Sequence, residues 1–200
     1  FEALYLAQAK RLTGEMIRLF WDESQGGFFL SGSDAELLPV RQKRFSDGAM
    51  PSGHSIAVLD LVRVGRLTMQ RDWEAKAEQV LRALLEGSTA PESTRHPGAF
   101  PQLLAALDFL LGPSSEIVIA GSPEDPTTEK MIRAVWEKFI PNRVVIFHPP
   151  GPAGEVIEGV VPFVQGQIAQ GGRPTAYVCR NYACDLPVTT VEKLHEQLER

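Results

Sequence analysis

Charged and hydroxyl side chains are concentrated between residues 41 and 55, immediately before a strongly apolar run. Asp47 and Gly48 are typical of a turn, and Ser52 is a good N-cap whose hydroxyl can accept an N–H of the first helical turn. The positive end of a helix attracts anionic or hydroxyl-rich ligands. We therefore expect a ligand cavity here, with polar candidates Arg41, Lys43, Asp47, Ser52 and His54. A loop that only caps a buried helix needs the same residue types, so both interpretations stay open.

Four ionisable side chains in or near apolar segments are candidates for acid–base chemistry: Asp47, His54, Asp60 and Asp108. A carboxylate on a buried helix can have its pKa raised toward neutrality and then act as a general acid. Asp60 and Asp108 can equally pair with Arg63 or with a helix N-terminus, and His54 suits a capping or hydrogen-bonded core position. No spacing indicates two facing carboxylates, so we assign no catalytic residue and leave open whether the chain is an enzyme.

The two cysteines, Cys179 and Cys184, lie five positions apart at the end of a β-branched run. They could meet across a loop as a thiol pair or as half of a metal site. The motif is not Cys-x-x-Cys, and His195 is the only nearby histidine, so a fourth metal ligand is missing. We expect buried reduced cysteines rather than a functional pair, and no metal. Gly121-Ser-Pro-Glu-Asp125 lacks both dinucleotide and Walker signatures, so we expect a turn there and no cofactor.

The net charge of -5 and the pI near 5.4 argue against general nucleic-acid binding, because phosphate contacts need clustered lysine and arginine. The short basic cluster at Arg41, Lys43 and Arg44 is expected to be solvated or locally paired. No apolar run approaches the roughly 20 residues that a membrane helix needs, so we expect no membrane contact and a cytoplasmic protein. The opening residues have the character of the middle of a helix, and we expect a piece of a longer chain.

Four helices with alternating character are predicted in the first half of the chain. The segments near residues 1–21 and 72–86 are amphipathic and suit outer helices, whereas 52–67 and 99–111 are apolar on nearly every side and suit buried helices. This order is typical of helical hairpins in two concentric layers. Four helices cannot close such a ring, so Leu103 and Leu107 are expected to be covered by a second copy of the chain or by the remaining residues.

From residue 113 the pattern changes to strand, helix, strand, with runs at 116–120, 127–139 and 143–147. A third strand at 175–179 and a helix at 189–198 are predicted to complete the layer, and the segment 149–154 is predicted to be a loop. We therefore predict a mainly α chain with helical hairpins in residues 1–112 and a small three-stranded parallel α/β layer in residues 113–200.

Several motifs together resemble one family. They are Gly26-Gly-Phe-Phe29, Arg41-x-Lys43, Asp47-Gly-Ala-x-Pro-Ser-Gly53, Arg66-Leu-Thr68 and Tyr177-Val-Cys-Arg-Asn-Tyr-Ala-Cys184. This set resembles the C-terminal part of the thioredoxin-domain-containing proteins related to the spermatogenesis-associated thioredoxin-like protein. The resemblance implies a preceding thioredoxin-like domain and an (α/α)6 toroid of the six-hairpin glycosidase and N-acylglucosamine 2-epimerase type. His54 departs from the asparagine that this family usually has after Pro-Ser-Gly.

Two functions follow as hypotheses. The first is that the chain completes a cavity that binds or processes a carbohydrate, with Phe28 and Phe29 offering apolar faces on which a sugar ring stacks. The second is a non-catalytic scaffold or interaction module for the thioredoxin-like domain, with Cys179 and Cys184 as structural or exchanging thiols. The expected partners are a carbohydrate, that domain, the other toroid helices and a second copy of the chain.

Overall fold

The computed structural model describes residues 2–36, 39–86, 96–180 and 183–199 of the 200-residue chain. These residues form a mixed α/β protein, about half of which is helical. The chain divides into two compact units, one of helices from Leu4 to Leu111 and one of strands and helices from Gly112 to Arg200.

The helical unit contains α1 (Ala3–Phe20), α2 (Gly53–Thr68), α3 (Arg71–Glu86) and α4 (Pro101–Leu111), with a 3-10 turn at Pro97–Ala99. The α2 helix lies in the centre and packs against both α3 and α4. Its core face includes Val58, Leu61 and Val62, each fully buried. The α3 helix buries one stripe, as its pattern predicts; the members of that stripe are Trp73, Ala77, Val80, Leu81 and Leu84.

Three details of the helical unit differ from the predictions. The α1 helix is amphipathic, but Leu4 and Leu12 of its predicted apolar stripe are 64% and 53% exposed, because the buried face is rotated toward Leu6 and Thr13. The α2 helix is not apolar all round: one stripe, with Ile56, Asp60 and Arg63, is open to solvent. Leu103, predicted to need cover from a second copy or from the α/β segment, is 2% exposed within the helical unit, where α4 packs against α2, whereas Leu107 is half-buried.

The α/β unit has a four-stranded sheet with strand order β2-β1-β3-β4. Its strands are β1 (Ser115–Ala120), β2 (Arg143–His148), β3 (Thr175–Arg180) and β4 (Ala183–Cys184). Its helices are α5 (Pro126–Glu137), α6 (Pro152–Val160) and α7 (Val191–Leu198), and a 3-10 turn lies at Pro162–Val164. Ile117 and Ile119 of β1 form the core with Met131 and Val135 of α5 and Leu194 of α7.

The prediction of a three-stranded parallel layer is wrong for the third strand. The β1–β2 pair is parallel, as the βαβ pattern predicts, but β3 runs antiparallel to β1, with Thr175 opposite Ala120. The reason is that the chain after β2 stays at the carboxyl end of that strand: His148 Nδ1 is hydrogen-bonded to the Gln167 carbonyl at 2.7 Å. The chain therefore enters β3 from the edge where β1 and β2 end.

None of the helices in the described ranges combines the length and the apolar character that a bilayer-spanning helix needs.

Candidate functional site

A tight turn brings the segment around Phe28 onto the end of α1. Trp21 and Phe28 form an isolated antiparallel bridge, and the turn between them uses Gly26 and Gly27 at φ values of 71° and 81°. Glycine is required here for a second reason, since a Cβ on Gly27 would lie 2.9 Å from His54 Nε2. The turn therefore presents its backbone directly to the start of α2.

His54 is buried and joins this turn to the loop that precedes α2. Its Nε2 accepts the Phe28 N–H at 2.7 Å, so its Nδ1 carries the proton and donates to the Arg44 carbonyl at 2.8 Å. Burial, with a smaller contribution from the nearby Lys43 charge, lowers the pKa of His54 from 6.5 to about 4. The imidazole is therefore neutral at neutral pH, and both of its nitrogens are occupied.

Asp47 caps two helices at once. One carboxylate oxygen accepts the Ser52 N–H at 2.7 Å, and the other accepts the Gln102 N–H in the first turn of α4 at 2.9 Å. Burial by itself would raise the pKa of Asp47, but these backbone donors, together with the Ser55 hydroxyl, outweigh it and lower the pKa. Ser52 is the N-cap of α2, as predicted, and its hydroxyl accepts the Ser55 N–H at 3.1 Å.

Lys43 and Asp22 form a largely buried ion pair with an Nζ–Oδ2 distance of 2.6 Å. Lys43 also donates to the Gly26 carbonyl at 2.5 Å, so it ties the loop to the glycine turn. The hydrogen bond from Lys43, followed by that from the Ser24 hydroxyl, holds the pKa of Asp22 well below its usual range. Asp22 is not among the residues predicted for the site; the turn residues that follow it, Glu-Ser-Gln-Gly-Gly, are the signal that it caps a turn.

Arg41 joins the C-terminal end of α1 to the segment that follows the glycine turn. Its Nη2 donates to the Ser31 and Leu19 carbonyls at 2.5 and 3.1 Å, and its guanidinium carbon lies 4.1 Å from the centre of the Phe29 ring. Lys43 Nζ lies 4.9 Å from the same centre. The basic cluster is thus locally paired at Arg41 and Lys43, as expected, and its cations pack on an aromatic ring.

A cavity of about 250 Å³ opens beside these contacts, between α1, the segment after the glycine turn and the start of α2. Its walls are mainly apolar: Met16, Phe20, Phe28, Phe29, Leu30, Gly53, His54 and Ala57. Of the seven predicted cavity residues, Phe28, Phe29 and His54 line it. Arg41, Lys43, Asp47 and Ser52 instead direct their polar atoms to the backbone and side chains that hold the walls in place.

The two helical carboxylates, Asp60 on α2 and Asp108 on α4, are exposed, so neither lies in a buried pocket. Partial burial nevertheless raises the pKa of Asp60, the predicted direction, and the charge of Arg63 opposes this shift. The described ranges contain no group of three or more histidine, cysteine, aspartate or glutamate side chains placed to hold a metal ion.

Cys179 and Cys184 are joined in a disulfide, so the prediction of reduced cysteines is wrong. The two residues are directly opposite each other in the β3–β4 ladder, where antiparallel pairing brings side chains close. Cys179 is 3% exposed, whereas Cys184 lies on the exposed strand β4. Asn181 and Tyr182 of the same sequence motif lie outside the described residues.

The chain is similar over almost its whole length to a quarter of a much longer protein. It is 34% identical to human spermatogenesis-associated protein 20 over 200 residues, covering 98% of this chain and 24% of the relative. The rat protein of the same name is 33% identical over 202 residues, covering 100% of this chain and 25% of the relative. An uncharacterized protein of Caenorhabditis elegans is 26% identical over 199 residues, covering 96% of this chain and 25% of the relative. No protein-family model matches the sequence. The chain thus spans about a quarter of the length of the curated relatives that it matches.

Proposed function

We propose that the helical unit forms part of the wall of a carbohydrate-binding cavity in a larger protein built around an (α/α)6 toroid. The observation that carries the proposal is the cavity lined by Phe20, Phe28 and Phe29 at the N-terminus of α2. Sugar rings present C–H faces that pack on aromatic rings, and ligand sites are typically apolar clefts with a few fixed polar groups. The volume of about 250 Å³ suits a single sugar ring rather than an oligosaccharide.

The hydrogen bonds around the cavity support this function by making its walls rigid. His54 fixes the backbone of Phe28, and Lys43 and Asp22 fix the glycine turn. Binding then orders few groups, which improves affinity for a small ligand. The cations on Phe29 lie over its ring, so the ring contributes to the wall in a single orientation.

The proposal of a toroid is supported by apolar side chains that are exposed on the helical unit. Ile56 on α2 is 42% exposed, and Leu104 and Leu111 on α4 are 39% and 75% exposed. In a closed ring these stripes would face further helices or the central cavity. The four helices, which follow one another as antiparallel hairpins in such folds, are consistent with this arrangement.

Calorimetric titration of the full-length protein with a panel of mono- and disaccharides tests the function. We expect Phe29→Ala to weaken binding about fivefold, the loss of about 1 kcal/mol of aromatic contact. Phe139→Ala is the matched control, because Phe139 is 92% exposed in the α/β unit and should leave binding unchanged. Absence of heat with every sugar, or unchanged affinity in Phe29→Ala, would refute the proposal. Asp47→Ala is unsuitable here because Asp47 caps two helices.

A second candidate function is disulfide exchange with the thioredoxin-like domain that the family resemblance implies. The observation that favours it is the exposed position of Cys184 in the disulfide. A thiolate of the partner dithiol would attack Cys184 Sγ, break the S–S bond and release the Cys179 thiolate. The second partner thiol would then release Cys184, so that the partner dithiol is oxidised to a disulfide and this disulfide is reduced to two thiols.

Reduction of the folded chain by a purified thioredoxin with its reductase and NADPH tests the exchange, with alkylation and mass spectrometry as the readout. We expect two alkylated thiols, and far faster reaction than with glutathione at equal thiol concentration. A disulfide that thioredoxin reduces only after the chain is unfolded would exclude the exchange function and leave a structural role.

A further inference from the structure

A second cavity, of about 440 Å³, lies in the α/β unit at the carboxyl ends of β1 and β2. Gly121 follows β1, and Pro149 and Pro150 follow β2. Gly151 is the N-cap of α6, and Gly154 lies in its first turn. In α/β sheets, ligands bind in the crevice outside the carboxyl ends of the strands. The volume also falls within the range of roughly 300–1,000 Å³ that is usual for small-molecule sites.

A buried histidine and a partly exposed glutamate form one wall of this cavity. His148 is 4% exposed; its Nδ1 lies 2.7 Å from the Gln167 carbonyl and its Nε2 lies 3.2 Å from Glu158 Oε1. A carbonyl only accepts, so Nδ1 donates to Gln167, and Glu158 Oε1 is the polar atom that faces Nε2.

The remaining walls give the cavity a net negative charge. Glu155 adds a second carboxyl group one helical turn before Glu158. Ile168, Ala169 and the two prolines are apolar, and no lysine or arginine is among the described residues that line the cavity. The negative charge of Glu155 would repel a bound anion, and no cationic side chain of the described lining would pair with it. Phosphate and nucleotide ligands are therefore disfavoured despite the nearby helix N-terminus.

The first turn of α6 packs closely against the end of β2, and this packing fixes the position of one wall of the cavity. A Cβ on Gly154 would lie 2.2 Å from the Pro149 carbonyl oxygen and 3.1 Å from His148 Nε2. Only glycine at this position lets the first turn of α6 approach the end of β2, and this approach places Glu155 and Glu158 beside the cavity.

We propose that this cavity binds a small organic ammonium ion, with the ammonium group on Glu155 and Glu158 and a short apolar chain against Ile168, Ala169 and the two prolines. The charged group would then gain charge-assisted hydrogen bonds that a neutral ligand lacks. The site lies wholly within the α/β unit and is independent of the carbohydrate proposal.

Titration of the isotopically labelled 200-residue chain with n-butylammonium, followed by amide NMR spectra, tests this site. We expect saturable shifts at Gly121, Gly151, Gly154, Ile168 and Ala169, and at least about tenfold weaker binding of 1-butanol. Inorganic phosphate should produce no saturable shifts at these amides.

Two charge-removing variants make the test specific. Glu155→Gln should weaken n-butylammonium binding by about tenfold or more, the cost of one charged hydrogen bond. Because Glu155 is exposed, this variant should keep the wild-type spectrum elsewhere. Glu129→Gln on α5 removes the same charge outside the cavity and should not change binding. Absence of saturable shifts, equal binding of 1-butanol, tighter binding of phosphate, or an unchanged affinity in Glu155→Gln would each overturn the proposal.

Discussion

The polar residues before α2 have types that suit a ligand site, yet most of their polar atoms hold the protein together. Asp47 satisfies N–H groups at the start of two helices, and His54 satisfies an N–H and a carbonyl from two separate loops. Buried backbone groups left without a partner are costly, so such side chains carry a large share of local stability. The side chains that remain available for ligand contact at this site are mainly aromatic.

His54 should make the stability of the helical unit depend on pH between about 6.5 and 4. In this window the unfolded histidine binds a proton and the folded one, with its pKa lowered to about 4, does not. The free energy of unfolding therefore falls as pH decreases, by up to roughly 3 kcal/mol at pH 4, and is fully retained above pH 6.5. Urea unfolding at a series of pH values measures this slope.

The variant His54→Asn identifies the source of that slope. An asparagine is too short to bridge the Phe28 N–H and the Arg44 carbonyl, so stability at pH 7 should fall by about 1–3 kcal/mol. The pH dependence between 6.5 and 4 should become flatter at the same time. His96→Asn, at an exposed position before α4, should change neither quantity. A variant at position 54 that keeps the full slope would show that another group titrates there.

Asp47 should also be costly to remove near neutral pH. Asp47→Ala removes the acceptors of the Ser52 and Gln102 N–H groups at the start of α2 and α4, and we expect a loss of about 2 kcal/mol in the free energy of unfolding. Asp47→Asn keeps one acceptor oxygen and should lose less. The exposed Asp34 provides a control, since Asp34→Ala should change stability little. Denaturant unfolding compares the three; equal stability of Asp34→Ala and Asp47→Ala would contradict the double-cap assignment.

At the level of elements, the sequence predicts most helices to within about two residues at each end, including the short α7, and misses only α6 among the described helices. The run from Ser52 to Leu67 predicts α2 within one residue at each end, because an apolar period and an N-cap coincide there. The α6 helix was missed because it begins inside Pro149-Pro-Gly-Pro, which is typical of a loop; Pro152 in fact occupies the first turn, where a missing N–H costs nothing.

The direction of β3 and the structural roles at the candidate site could not be read from the sequence for a different reason. Strand direction depends on where the chain lies after α6, and the contact between His148 and Gln167 that decides it spans 19 residues. Asp47 and Gln102 likewise meet across 55 residues. Phe28, Phe29 and His54 were predicted from their residue types to line a cavity, and they do so in the structure. Only the long-range contacts distinguish residues that line the cavity from residues that hold its walls in place.

The first turn of α6 offers a prediction with an internal control. Gly154→Ala would place a Cβ against the Pro149 carbonyl, so α6 should shift or fray, with a loss of about 1–3 kcal/mol. Gly159→Ala lies on the same helix with nothing within 4 Å of the added Cβ. It should leave stability unchanged or raise it by up to about 1 kcal/mol through helix propensity. Thermal unfolding ranks the two, and a Gly154→Ala protein as stable as Gly159→Ala would contradict the close fit of α6 on β2.

At the level of the whole molecule, several large apolar side chains of the helical unit are exposed to solvent rather than packed in its core. Leu4, Tyr5, Leu12 and Leu111 are each more than half exposed. The chain spans about a quarter of the length of the curated relatives that it matches. In the proposed toroid, further helices would cover these side chains.

Hydroxyl-radical footprinting can compare the 200-residue chain with the full-length protein. We expect Leu4, Tyr5, Leu12 and Leu111 to be oxidised several-fold more slowly in the full-length protein, since further helices would cover them. Trp73, which is 8% exposed within α3, should be protected in both forms. Equal oxidation of the exposed set in both forms would argue against the toroid.

The decisive measurement is a crystal structure of the full-length protein grown with the best-binding monosaccharide. We expect a sugar ring in the cavity between α1, the segment 28–30 and the start of α2, in contact with Phe29. A sugar bound elsewhere, with this cavity filled by the protein's own side chains, would contradict it.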